Sequence, residues 1–389
     1  MRIFLTKHFV DCKLFKTLHK FKSKLSQIFF MQHLFPGILF NKNLLILLAS
    51  IFIFGCQTSK KMIQYTDQLS IQSKQITAVK SSIRALEVVN DKTAWFAGSG
   101  GVFGYTEDSG QSWVIDSLGT PDNRPHFRAI SVTSKAVFLL SIASPALLYK
   151  STDKGNNWTL VHQDNHPEIF YDAMTFWNDN EGIAMGDPTD GCLSILITRD
   201  GGDNWKKVDC SKLPATIEGE AAFAASNSNI SIQGDQAWVV SGGNQSRVFH
   251  TADKGHSWNV YDTPIVSGGK MTGIFTSHFY DDKQGIVFGG NWETKTDNTK
   301  NKAVTKDGGR SWQLIADGSP PGYRSSVRYF PKGGGNALLA VGIPGISYSW
   351  DGGATWKLLD DESFYICRFS GTGRTVWVAG DKKIGRLLF

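Results

Sequence analysis

Thr106-Glu107-Asp108-Ser109-Gly110-Gln111-Ser112-Trp113 is the stretch that decides the fold. Its pattern, Ser/Thr-x-Asp-x-Gly-x-x-Trp, returns five times. The copies are STDKGNNW from Ser151, TRDGGDNW from Thr198, TADKGHSW from Thr251, TKDGGRSW from Thr305 and SWDGGATW from Ser349. Each position has a mechanical reason. The Asp carboxylate accepts backbone N–H groups a few residues on and closes a turn. The Gly supplies a conformation that a Cβ disfavours. The hydroxyl ties down a further main-chain group, and the Trp starts a returning strand with a large ring to bury. The unit is a β-hairpin turn with an aromatic anchor. Asp108, Asp153, Asp200, Asp253, Asp307 and Asp351 are therefore structural, and turn chemistry accounts for them without a catalytic role.

These aspartates stand 45, 47, 53, 54 and 44 residues apart, the period of a four-stranded propeller blade. Between them a phrase repeats. It opens on a short strand: Ile83-Arg84-Ala85-Leu86, Phe127-Arg128-Ala129-Ile130, Tyr171-Asp172-Ala173-Met174, Ala221-Ala222-Phe223, Thr272-Gly273-Ile274-Phe275, Val327-Arg328-Tyr329-Phe330 and Cys367-Arg368-Phe369. An apolar second strand follows, as in Val376-Trp377-Val378-Ala379-Gly380, the pattern of a strand buried on both faces. The third strand runs into the octapeptide and the fourth leaves from its Trp. Seven openings stand against six octapeptides. The seventh unit ends after a third strand at 384–389, while 71–79 precedes the first opening and belongs to no unit. The expected fold is all-β: a single seven-bladed β-propeller over 71–389, built of four-stranded antiparallel blades. Strand 71–79 completes the last blade, because closing the ring this way removes open sheet edges.

Residues 1–55 differ in kind. A stretch with Lys7, Lys13, Lys16, Lys20, Lys22, Lys24 and Lys42 precedes the uncharged run 44–55. That run is short for a bilayer span and suits a signal-peptide core. Ile53-Phe54-Gly55-Cys56 resembles a relaxed bacterial lipobox, with Cys56 as the lipidated residue, although Phe54 departs from its pattern. Met31 is an alternative start, and an uncleaved N-terminal anchor is the competing reading. Residues 56–70 read as a tether. The chain is expected to be exported and membrane-anchored facing the periplasm. Gln57 and Thr58 slightly favour the outer membrane.

The leader also explains the basic charge. The chain has 41 Lys+Arg and 35 Asp+Glu. Residues 1–55 hold eight of the former and only Asp11 of the latter, leaving 33 against 34. No basic strip interleaved with aromatics follows, so nucleic acid is not an expected partner. Cys192 and Cys210 flank the third octapeptide and are either a disulfide or two buried thiols.

Propeller opening strands line the central tunnel. The third position of each opening reads Arg84, Arg128, Asp172, Ala221, Thr272, Arg328 and Arg368, with Glu220 beside Ala221. A ring of four Arg with Asp172 and Glu220 would make a polar mouth able to hold an anion or an acidic peptide. Mutual ion pairing that sets blade register is the alternative. The loops 187–191, 242–245 and 290–302 are further candidates. Metal, nucleotide and nucleophile signals are weak. His162-x-x-x-His166 has ligand spacing only on a helix, Gly98-Ser99-Gly100-Gly101 lacks the rest of a phosphate loop, and no cofactor is expected.

From residue 71 onward the chain resembles Asp-box (BNR-repeat) propellers, in particular the seven-bladed photosystem II assembly/stability-factor-like family and its exported bacterial members. The six boxes and the Arg-bearing openings carry the resemblance, with Arg84, Arg128 and Arg328 as the matching Arg-patch positions. It implies a non-catalytic, monomeric scaffold that docks a protein or peptide at an Arg-rich mouth. The alternative is a glycoside hydrolase of sialidase-like or glucan-cleaving type, with Asp172, Asp187 and Glu220 as candidate acids. Such an enzyme needs two carboxyls facing each other about 5–10 Å apart.

Overall fold

The computed structural model describes residues 63–120 and 122–389. The leader, Cys56 and the first part of the tether lie outside the described residues. Residues 63–70 pack on the propeller: Ile63 N donates to Lys332 O at 3.0 Å, Tyr348 Oη donates to Thr66 O at 3.0 Å, and the Tyr65 ring lies 4.6 Å from that of Phe330.

All the long elements are strands, joined by antiparallel pairing into six sheets. The expected count of seven blades is therefore corrected to six. The cause is Ser73–Val88, a 16-residue strand that serves two of the sequence units at once. Its first half pairs Ser73 with Leu388 through Ala78 with Lys383, and its second half pairs Ile83 with Gly98 through Val88 with Ala94. The first and last units thereby fuse into one six-stranded sheet. The N-terminal strand does close the ring. The separate third strand expected at 384–389 is instead continuous with the second in Thr375–Leu388. The fourth opening is also corrected. Glu220–Ala221 pairs with Gly242–Gly243 and joins the next sheet, and Ile230–Gln233 begins the four-stranded sheet in its place.

Apolar clusters fill the spaces between sheets, and the box glycines set the spacing there. A Cβ on Gly110 would meet Trp377 at 3.2 Å, on Gly155 Phe103 at 3.0 Å, on Gly255 Ile197 at 3.1 Å and on Gly309 Trp238 at 3.1 Å. Each neighbour belongs to the preceding sequence unit, or, for Gly110, to the last. The boxes are thus staples between successive units as well as turns. The box Trp rings add edge contacts, such as Trp158 on Phe103 at 5.1 Å and Trp113 on Trp377 at 5.8 Å.

Within a box the carboxylate organises everything. Asp108 accepts Thr106 Oγ1 at 2.8 Å, Ser112 N at 2.9 Å and Ser112 Oγ at 2.6 Å, while Gly110 N donates to Thr106 Oγ1 at 3.0 Å. The Ser112 hydroxyl, then Ser112 N, holds the Asp108 pKa down at about 2. The Asn204 backbone and side chain do the same for Asp200. At Asp253 and Asp307 burial pushes upward, but the bonds from Ser257 and Ser311 outweigh it, again to about 2. A carboxylate depressed on folding contributes stability above its unfolded pKa, near 3.9, and loses it as pH falls toward the folded value. Acid unfolding followed by Trp fluorescence should therefore develop between about pH 4 and about pH 2. A main transition near pH 6 would refute control by the boxes.

Candidate functional site

The box hairpins close one end of the ring. Ser109 N donates to Lys92 O, Gly201 N to Asn180 O, Lys254 N to Asp235 O and Gly308 N to Lys283 O, each at 2.8–2.9 Å, tying each box to the loop that leaves an inner strand. The candidate mouth lies at the other end, where the inner strands begin.

Four of those beginnings carry a β-bulge. The register skips Arg84 between Ile83 and Ala85, Arg128 between Phe127 and Ala129, Asp172 between Tyr171 and Ala173, and Phe275 between Ile274 and Thr276. A bulge leaves its residue outside the ladder and re-aims the side chain. The Arg84 guanidinium stacks 4.0 Å over the Tyr365 ring, and its Nη1 reaches Ala225 O at 3.5 Å. Arg128 Nη1 donates to Ser99 Oγ at 3.0 Å and to Phe127 O at 3.3 Å. Burial, then the charge of Arg84, lowers the Arg128 pKa to about 10. Among the described residues neither guanidinium forms an ion pair, and both are half-buried. Tyr323 is buried beside them, and burial raises its pKa.

The expected single ring of four Arg is not what the structure holds. Arg328 and Arg368 sit in ladders without a bulge, opposite Leu339 and Trp377. Tyr365, which faces Arg84, lies three residues before Arg368, and Arg368 Nε lies 4.0 Å from Glu87 Oε1, three residues after Arg84. Three residues of strand span about 10 Å, so the arginines occupy two tiers. The outer tier has Arg84 and Arg128. The inner tier has Arg328 and Arg368, each 8 % exposed.

The acidic candidates are elsewhere. Asp172 is completely buried and neither carboxylate oxygen has a hydrogen-bond partner among the described residues. Burial, then the nearby Asp187, pushes its carboxyl well above the usual range, so its charged form is disfavoured. Burial raises Asp187 to about 6, although Ala222 N donates to its Oδ1 at 2.6 Å. Glu220, 4 % exposed, is held by both Nε and Nη2 of Arg247, by Ser241 Oγ at 2.5 Å and by Ile217 N at 3.0 Å. It belongs to a buried ion pair rather than to the mouth. Arg247, Tyr365 and Glu87 escaped sequence reasoning because no repeat position marks them.

The insertion 291–302 flanks the same end. Trp292 is 38 % exposed, with Lys295 Nζ 4.1 Å from its ring centroid. Tyr323 N donates to Lys295 O at 2.9 Å, which fastens the insertion beside the outer tier. His162 and His166 are not brought together with other ligands. Among the described residues no group of three or more His, Cys, Asp or Glu is placed to hold a metal ion.

Cys192 and Cys210 form a disulfide with Cα atoms 5.6 Å apart. They do not face each other across paired strands, because Cys210 opens the short 3-10 helix Cys210–Lys212 beyond the strand Lys206–Lys207. The bond closes a loop of 18 residues. Replacing both by Ser should cost about 3 kcal/mol of stability. Chemical denaturation of the oxidised protein and the double variant would measure this, and equal midpoints would refute it.

Residues 193–320 match the family model described as Sortilin, neurotensin receptor 3. The chain is similar to the photosystem II assembly lipoprotein Ycf48 of Synechococcus sp. (strain CC9902), at 25 % identity over 269 residues, 60 % of this chain and 75 % of that protein. Among solved structures, YCF48 bound to a D1 peptide superimposes with a TM-score of 0.61 at 15 % identity, covering 82 % of this chain and 98 % of that one. YCF48 from Cyanidioschyzon merolae gives 0.56 at 15 % identity, over 81 % and 98 %. U3-55K gives 0.56 at 11 %, over 82 % and 99 %. At these identities the superpositions speak for the fold alone.

Proposed function

For this chain, a Ycf48- and Sortilin-Vps10-like β-propeller, we propose the role of a non-catalytic assembly scaffold that docks an acidic polypeptide segment on Arg84 and Arg128. The carrying observation is the outer tier itself: two neighbouring guanidiniums at the open end of the ring, without ion-pair partners among the described residues, one of them 4.0 Å over the Tyr365 ring. Unpaired Arg of this kind offers planar, charge-assisted donors that fit a carboxylate. Trp292 supplies an apolar platform beside them. The printed names of two relatives support the reading, one an assembly lipoprotein and one a structure holding a D1 peptide. The same likeness supports a membrane-anchored lipoprotein; the lipobox-like Ile53-Phe54-Gly55-Cys56 makes Cys56 the proposed anchor of an exported monomer facing the periplasm, with Gln57 and Thr58 favouring the outer membrane.

Cross-linking and affinity recovery of the full chain from its own membranes, read by mass spectrometry, tests this. The expected result is one enriched polypeptide whose cross-links map to an acidic segment and to the Arg84–Arg128 end. Cross-links confined to the box end would refute it.

No observation favours the hydrolase reading. The carboxyls decide between the two readings. Asp172 is buried and Glu220 is occupied by Arg247. Turnover of a fluorogenic sialoside or β-glucan, lost in Asp187→Asn or Glu220→Gln, would overturn the scaffold.

A further inference from the structure

The inner pair of arginines poses a charge problem that the protein's own groups leave unsolved. Arg328 and Arg368 both donate to one hydroxyl, Ser228 Oγ, at 3.2 and 3.1 Å. Their other acceptors are backbone carbonyls: Ser277 O for Arg328, and Cys367 O, Ser226 O and Asn227 O for Arg368. Carbonyl dipoles do not cancel two like charges held side by side with little water. The one nearby carboxyl, Glu87, comes only to 4.0 Å from Arg368 Nε, beyond hydrogen-bond reach. Burial also raises its pKa, so its negative charge is itself disfavoured. His278 next to them is kept neutral by burial, then by Arg328 and Arg368. Burial and the charge of Arg368 bring Arg328 down to about 9.

Two further polar side chains of this wall have unmatched atoms. Ser277 Oγ and both amide atoms of Asn229 are buried without partners among the described residues. Ser277 carries the carbonyl that holds Arg328, and Asn229 follows Ser228 in the chain. The Glu87 side chain keeps 27 % exposure, so solvent reaches the edge of this tier. We propose that this tier binds a halide ion between the guanidiniums of Arg328 and Arg368. One compact negative charge suits the two cations, and the backbone contacts hold the guanidiniums in place around it. The site lies a tier below the peptide mouth and stands independently of that reading.

Bromide tests it in two ways. Crystals soaked in bromide should show an anomalous peak within hydrogen-bond distance of both guanidiniums. At constant ionic strength, exchanging gluconate for bromide should raise Tm progressively, as binding to the folded state alone requires. The rise should vanish in Arg368→Gln. It should occur at lower bromide in Glu87→Gln, which removes the competing carboxyl. A tunnel without an anomalous peak, or equal Tm in the two salts, overturns the proposal. Should Arg368→Gln fail to fold, an unchanged bromide dependence in Glu87→Gln overturns it equally.

Discussion

Arg84→Glu combined with Arg128→Glu should abolish capture of the docked polypeptide while leaving the propeller folded. Hydrogen bonds to charged groups contribute about 1.5–3 kcal/mol each. Losing two of them weakens binding by about 10² to 10⁴-fold, and reversing the charge adds repulsion to the loss. Both side chains are half-buried at bulges and form no ion pair among the described residues, so their removal breaks little. Binding of the wild type should also weaken as salt rises, because exposed charges are screened. The inner tier is the contrast. Arg328→Glu would put a carboxylate against Ser277 O and Ser228 Oγ, where the native side chain donates, and should destabilise the fold itself. Fluorescence anisotropy with the recovered segment, beside thermal unfolding of each variant, separates the two effects. Unchanged affinity in the Arg84–Arg128 variant would remove the outer tier from the mechanism.

The second large effect belongs to a box. Gly202→Ala should cost about 2–4 kcal/mol, combining a left-handed conformation with an overpacked interface. Gly202 has φ +79, and its Cβ would lie 2.6 Å from Phe138 Cζ and closer still to Cε1. Phe138 cannot retreat. It is fully buried, stacks on Phe176 at 4.6 Å and meets Trp205 edge-on at 6.4 Å. The residue before the box glycine behaves oppositely. It too is left-handed in every copy, and three copies already use Gly there: Gly201, Gly308 and Gly352. Ser109, at φ +69, has a side chain that the conformation does not favour. Ser109→Gly should therefore stabilise by about 0.5–1 kcal/mol, the left-handed strain being partly offset by the entropy of Gly. Urea unfolding of both variants measures the pair. A neutral Gly202→Ala would show that the staple between units is slack.

Much of the architecture is written locally. A hydroxyl, a carboxylate, a glycine and a tryptophan within eight residues close a hairpin by contacts among themselves, so the boxes could be located and their aspartates set aside as structural. The orphan segment at 71–79 and the truncated last unit showed that the ends of the chain pair. The number of sheets was not written there. A strand of sixteen residues can serve one sheet or two, and only its partners decide. The fourth opening was misplaced for a similar reason, since the apolar Ala221-Ala222-Phe223 and the alternating Ile230–Gln233 both read as short strands.

Sequence alone determined that this chain is an all-β ring of stapled hairpins, because those interactions span only a few residues. Tertiary structure decided which charges meet. A bulge at Arg84, Arg128 and Asp172, without one at Arg328 or Arg368, displaces side chains that the repeat had aligned. One inserted residue flips a side chain's direction because the strand period is two. The arginines therefore split into a mouth and an inner pair, and burial disfavours the charge of the aspartate expected to join them.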